Sequence, residues 1–240
     1  MKLRYDFHLH SCLSPCGDRE MTPYNLVNMA ALLGYDIIAL TDHNTVGNCA
    51  SAMCVGARAG ITVIPGMELC TSEEIHVVCL FPGLQPARAF GDAVWDTLLP
   101  VRNKPHVFGE QLYMDDGDTV LGAEETLLVT ASGISIEEVR GLVDAHGGFC
   151  YPAHIDRASF SVLSSFGVFP PELGFTCAEV TPGADLPALE RQNPILKRMH
   201  LLRSSDAHFL ENMPDPVRTL DLAENTPQAA VEYLKGLALQ

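Results

Sequence analysis

Positive charge is scarce. Lys and Arg number 15 against 30 Asp and Glu, a formal charge of −15. Long nucleic acid is held mainly by Lys and Arg that neutralise its phosphates, so this balance argues against a surface that holds a stable duplex. It leaves an anionic substrate open, because bound divalent cations can be the largest local charges in a site and can reverse its polarity. Long apolar runs are also missing: residues 37–40 and 77–81 are far too short to span a bilayer. The start has no charged stretch followed by an apolar one and a small-residue cleavage site. The expectation is a cytoplasmic protein with no membrane contact. No C-x-x-C pair occurs, which argues against a structural zinc knuckle, and without a secretory context the eight cysteines are expected to be reduced. The Gly-rich phosphate fingerprints G-x-G-x-x-G and G-x-x-x-x-G-K-[ST] are absent.

What is present is apolar and regularly spaced. Hydrophobic residues make up 47% of 240, enough for a large core, and the length suits one domain over residues 1–240. Short apolar runs at residues 3–7, 36–40, 61–64, 75–81, 149–153, 177–180, 200–203 and 219–222 read as strands. Helical patterns lie between them. Thr22 with Pro23 opens one, apolar at helical spacing and ended by Gly34. A small-residue helix covers 50–59. Ser135 and Glu138 make a capping box, and Thr226 with Pro227 starts the last helix. Residues 82–130, broken by Pro82, Gly83 and Pro86, carry a possible helix at 90–99 and a turn at 114–118. They read as an insertion or a segment that shapes a substrate pocket. Strands alternating with helices imply an α/β fold with mostly parallel strands. A closed barrel is favoured over an open doubly wound sheet.

Metal-ligand residue types gather where those strands end. His8 and His10 follow the first strand, Asp42 and His43 the second, Glu68 the third, His154 the run at 149–153, and Asp206 and His208 the run at 200–203. In a (β/α) barrel the C-terminal strand ends converge on one mouth, where active sites form. In extended chain, residues two apart point the same way, so His8 with His10, and Asp206 with His208, can each grip one ion or two neighbouring ions. Imidazole nitrogen and carboxylate oxygen suit zinc, manganese and iron. His106, His146 and His200 lie outside the pattern. Cys79 and Cys150 read as small buried hydrophobes.

At these residues the sequence resembles the polymerase-and-histidinol-phosphatase (PHP) family. The stretches are Asp6-Phe7-His8-Leu9-His10-Ser11, Leu40-Thr41-Asp42-His43-Asn44, Pro65-Gly66-Met67-Glu68, Ile75-His76-Val77-Val78, Pro152-Ala153-His154 and Ser205-Asp206-Ala207-His208. The resemblance implies a distorted (β/α)₇ barrel whose metal site holds two or three divalent ions at the C-terminal strand ends. His8, His10, Glu68 and Asp206 would hold the first ion. Glu68 would bridge to a second, held also by His76 and His154, and His43 and His208 would hold a third. Where the family often adds a histidine to the third site, this chain has Cys16. Either Cys16 or the nearby Asp18 serves that site, or the site is weak or empty. Only the resemblance places His76, which lies near a strand start.

The activity so implied is hydrolysis of a small phosphomonoester, such as a nucleotide, sugar phosphate or histidinol phosphate, by water activated at the metals. Arg157 would bind the substrate phosphate, or else pair with Asp156 at the surface. His208, Asp42 or a metal-bound water would protonate the leaving group. Asp6 is expected to orient His8 or His10, or simply to end a strand. The competing readings are a nuclease on short oligonucleotides and a non-catalytic metal-binding module.

Overall fold

The computed structural model describes residues 1–239. Its elements are β1 (Lys2–Leu9), α1 (Pro23–Leu33), β2 (Ile37–Leu40), α2 (Cys49–Ala59), β3 (Thr62–Cys70), β4 (His76–Leu80), α3 (Leu84–Trp95), α4 (Pro105–Phe108), β5 (Leu112–Met114), β6 (Val120–Ala123), α5 (Ile136–Ala145), β7 (Phe149–Pro152), α6 (Val162–Phe166), β8 (Cys177–Glu179), α7 (Leu186–Gln192), β9 (His200–Leu202), β10 (Thr219–Asp221) and α8 (Pro227–Lys235). A six-stranded sheet runs β10-β1-β2-β3-β4-β7, and β8 pairs with β9 apart from it. Two links close the ring. The Ile155 amide, just past β7, donates to the Glu179 carbonyl on β8, and Leu9 bridges Ala207 beyond β9 in parallel. Seven strands thus surround one interior, and only β4 runs against the other six, pairing antiparallel with both β3 and β7. The expected barrel is present, and β10 is an antiparallel addition on β1.

The strand alternation sorts the core into two layers. Phe7, Ile37, Ala39, Ile64, Val78, Leu80 and Tyr151 point inward, joined by Ala230, Val231 and Leu234 of α8. Leu9, Ile38, Leu40, Val63, Met67, Val77 and Cys79 point outward, against Leu26 and Val27 of α1, Val55 of α2, Phe90 of α3 and Val139 of α5. In β1 the pairing register slips between Asp6 and Leu9. Such a bulge re-aims side chains. Phe7 therefore fills the apolar interior while His8 and His10 face the barrel mouth.

Helix ends follow local chemistry. The Thr22 side chain accepts from the Asn25 amide, Gly34 closes α1 at φ 89, and the Ser135–Glu138 capping box is complete. Several expected bounds change. The strand foreseen at 61–64 continues to Cys70, carrying Glu68 inside it. The helix foreseen at 90–99 is Leu84–Trp95. Pro86 sits in its first turn, where a missing N–H breaks no intrahelical bond. The last helix ends at Lys235. Among residues 82–130 a hairpin, β5–β6, was not foreseen; the turn at 114–118 joins its strands. No helix among the described residues is long and apolar enough to cross a membrane.

Candidate metal centre

Six of the seven strands deliver eight His, Glu and Asp side chains to one end of the barrel. His8 and His10 come from β1 and the residue after it, His43 from just past β2, Glu68 from β3, His76 from β4, His154 from just past β7, and Asp206 and His208 from beyond β9. His76 begins its strand instead of ending it. Because β4 is reversed, with Cys70 paired to His76, its start lies at the mouth where β3 ends. His154 and Asp206 hold positive φ of 27° and 53°, a backbone conformation costing of order 1–3 kcal/mol that collects at functional sites.

Glu68 is the hub. Its Oε1 lies 3.2 Å from His8 Nε2, 2.9 Å from His76 Nδ1 and 3.1 Å from His154 Nε2. Its Oε2 lies 3.3 Å from His10 Nε2 and 2.9 Å from His43 Nδ1. Asp206 Oδ1 lies 3.3 Å and 3.1 Å from the same nitrogens of His8 and His10. Burial alone would raise the Glu68 carboxyl, but the surrounding imidazoles of His76, His8 and His43 outweigh it and hold the carboxyl well below its usual range.

The tautomers follow from the partners behind the rings. His8 Nδ1 sits 2.9 Å from Glu179 Oε1. A carboxylate only accepts, so this nitrogen carries the proton and Nε2 presents a lone pair. His10 Nδ1 sits 2.9 Å from Ser14 Oγ, whose own proton goes to Asp42 Oδ1 at 2.7 Å, so His10 also presents Nε2 bare. His208 Nδ1 donates to the Asp206 carbonyl at 2.9 Å. In neutral rings these bare nitrogens face carboxylate oxygens, lone pair against lone pair. Only protons or cations between them relieve this. Burial disfavours the charged rings, but the carboxylates hold His8 and His10 above the ordinary imidazole range. Of the nine buried side-chain N or O atoms without a hydrogen-bond partner among the described residues, six belong to His8, His10, His43, Glu68, His154 and Asp206. Leaving such groups unmade is expensive, and cations set between them remove the conflict. The donor set thus fits divalent metal ions.

Seven of the eight site residues, all but His154, fall into overlapping groups whose ligand atoms lie within 4.8 Å of one another: His8, His10, Glu68 and Asp206; His43, Glu68 and His76; and His10, His43 and His208. Cys16 lies at the exposed rim. Enclosure of its sulfur pushes the thiol up, but hydrogen bonds and attraction from His43 and His208 outweigh this and leave it at about 5. Cys12 differs: it is buried, and burial pushes its thiol up to about 12. The Asp18 carboxylate instead caps the Glu20 amide at 2.8 Å, so Cys16, and not Asp18, faces the histidines.

Two expected roles fall elsewhere, and a third loses one of its alternatives. Asp6 accepts from the backbone amides of His8 and Ser205, each at 3.2 Å, and orients no imidazole. That task belongs to Glu179 and Ser14, which pattern reading missed. The only signal for Glu179 was an acid ending an apolar strand. Asp42 accepts from the Ser11 amide and from both the Ser11 and Ser14 hydroxyls, so it supports His10 from behind and does not face the mouth. Arg157 reaches Asp206 Oδ2 at 2.7 Å. Asp156 is not its partner, because that carboxylate holds the Thr181 amide and hydroxyl.

Comparison with known proteins points the same way. The PHP domain model matches residues 6–160. A 5′-3′ exoribonuclease of Haemophilus influenzae is 36% identical over 83 residues, 33% of this chain and 29% of that enzyme. A 3′,5′-nucleoside bisphosphate phosphatase of Chromobacterium violaceum is 36% identical over 85 residues, 34% of this chain and 28% of that enzyme. The matched stretch is thus under a third of either curated relative's length. Among solved structures, endonuclease Q in complex with a 27-mer duplex carrying an abasic lesion superposes with a TM-score of 0.68 at 16% identity, over 99% of this chain and 57% of that one. At that identity the likeness concerns the fold.

Proposed function

The chain belongs to the PHP domain family, and from that premise we propose that it is a metal-dependent phosphoesterase acting on a small phosphomonoester of the nucleotide type. The observation that supports this reading is the opposition of lone pairs on His8 Nε2 and His10 Nε2 to the oxygens of Glu68 and Asp206. In this reading His8, His10, Glu68 and Asp206 hold one cation, Glu68 with His76 and His154 a second, and His43, His208 and Cys16 a third. Manganese, zinc and iron all suit such donors. Cations held there would place Lewis-acid charge on the phosphate oxygens and make water a nucleophile at neutral pH.

The chain's own groups complete the task. Glu179 and the Ser14–Asp42 pair fix the tautomers of His8 and His10, as partners behind metal-binding imidazoles do. The Arg157 side chain is 44% exposed and, among the described residues, is held by Asp206, so an incoming phosphate can take the guanidinium, whose fork matches phosphate oxygens. His208, its Nδ1 proton held by the Asp206 carbonyl, offers Nε2 as a ligand, and Asp42 is held inward, so the leaving oxygen takes its proton from solvent at the open mouth. The net charge of −15 favours small esters over a long duplex. A nuclease acting on short oligonucleotides is the second reading, favoured by the exoribonuclease match.

Phosphate release from nucleoside mono- and bisphosphates, sugar phosphates and histidinol phosphate, with added manganese and with chelator, tests this. Metal-dependent release that favours nucleotides is the expected result. Cleavage of short oligonucleotides without monoester hydrolysis selects the nuclease. Folded protein inert on every ester with every metal overturns the phosphoesterase reading.

A further inference from the structure

We propose that a cleft beside the metal centre, walled by Phe209, Leu112, Arg19 and Glu110, receives the nucleobase of the substrate; this rests on the phosphoesterase reading and names its substrate class. The cleft has a volume of about 250 Å³. Cys16 lies in its wall, and the same residue's sulfur meets His43 and His208. Phe209 directly follows His208. The cleft is therefore continuous with the mouth, within reach of a group attached to a phosphate bound there.

Its far wall comes from residues 82–130. The Leu112 amide donates to the Cys12 carbonyl at 2.9 Å. Gly109, at φ 93, approaches so closely that a Cβ there would lie 2.3 Å from the Pro15 carbonyl oxygen. Only glycine permits that approach, and it fixes the wall against residues 12–19.

The lining suits a flat heterocycle with a polar edge. Phe209 is 42% exposed, and Leu112 supplies an apolar floor. At the rim, Arg19 and Glu110 face each other at 3.7 Å, with side chains 71% and 51% exposed. An ion pair so wet contributes little to stability, so both groups are free to turn to a ligand. Glu110 can accept from a ring amino group, and Arg19 can donate to a ring acceptor or a second phosphate. Aromatic stacking is blind to which base is present, so the cleft selects nucleotides as a class. A sugar lacks the flat π-face that stacks on Phe209.

The test is the ratio of kcat/KM for adenosine monophosphate to that for glycerol phosphate, in the manganese-loaded full chain and in Phe209→Ala. Loss of one stacking partner corresponds to about a tenfold fall in that ratio, with recovery in Phe209→Trp. An unchanged ratio in Phe209→Ala overturns the inference, as does a wild-type enzyme that hydrolyses glycerol or histidinol phosphate but no nucleotide. Calorimetric binding of adenosine monophosphate gives a readout separate from turnover. Binding that weakens about tenfold in Phe209→Ala supports the cleft even in a protein that hydrolyses nothing, in which case only the parent reading fails. No binding and no nucleotide turnover in wild type ends the inference.

Discussion

The lower and upper halves of the barrel interior are built by the same strands with opposite chemistry. Below, Phe7, Ile64, Val78 and Tyr151 are fully buried against α8. Above, one or a few residues further along, His8, Glu68, His76 and His154 are nearly as buried. On β4 the order is reversed, Val78 below and His76 above, because that strand runs the other way. Burial of the lower set stabilises the fold through apolar area removed from water. Burial of the upper set works against it, since polar groups removed from water cost energy unless they are paired. The difference teaches that the two halves do different work. The lower half holds the barrel closed, and the upper half holds groups in a conflict that a cation resolves.

Substitutions can break that division, beginning with the hub. Glu68→Ala removes the carboxylate common to two of the ligand groups. Metal-supported turnover should fall by about 10³ or more, while circular dichroism still reports a folded barrel. Retained hydrolysis at normal metal content would overturn the assignment of Glu68. Phe7→Ala, immediately before His8, tests the lower half. It should destabilise by about 3–5 kcal/mol, read as a drop in the thermal midpoint of roughly 10 °C, with metal content per folded molecule kept. If its main effect were on metal binding, the halves would not be separable. Glu179→Gln probes the border between them. It retains shape but weakens the charge that orients His8, and metal affinity should fall about 10- to 100-fold by metal titration with little shift in the midpoint. An unchanged affinity would leave Glu179 a packing residue.

Much of this was legible from local signals. Thr22, Gly34 and the Ser135–Glu138 box stop and start helices by hydrogen bonds within a few residues, and all three act as read. His8 and His10 were visible because residues two apart in extended chain share a face, whereas Asp206 and His208 reach the mouth beyond β9 through left-handed backbone at Asp206. Illegible were those features whose cause lies far along the chain. Glu179 meets His8 across 171 residues, and no spacing rule links them. Asp6 looked like the orienting acid because it is near in sequence, yet its oxygens hold backbone amides of His8 and Ser205. Asp42 looked like a mouth residue because it follows β2, yet three donors from residues 11–14 turn it inward. The hairpin β5–β6 was hidden because β6 is almost wholly exposed and carries no buried apolar face, whereas strands as short as β8 and β9 announce themselves by apolar runs.

The sequence by itself determined the alternation of strand and helix, the caps, and the set of ligand-type residues, because each depends on neighbours within a turn or a pleat. Tertiary structure decided which end of each strand meets the mouth, which acid stands behind which imidazole, and what walls the cleft beside Phe209. His76 shows why. Its place depends on β4 running backwards between β3 and β7, and strand direction is set by which partners close the barrel, a property of the whole chain that no local pattern carries.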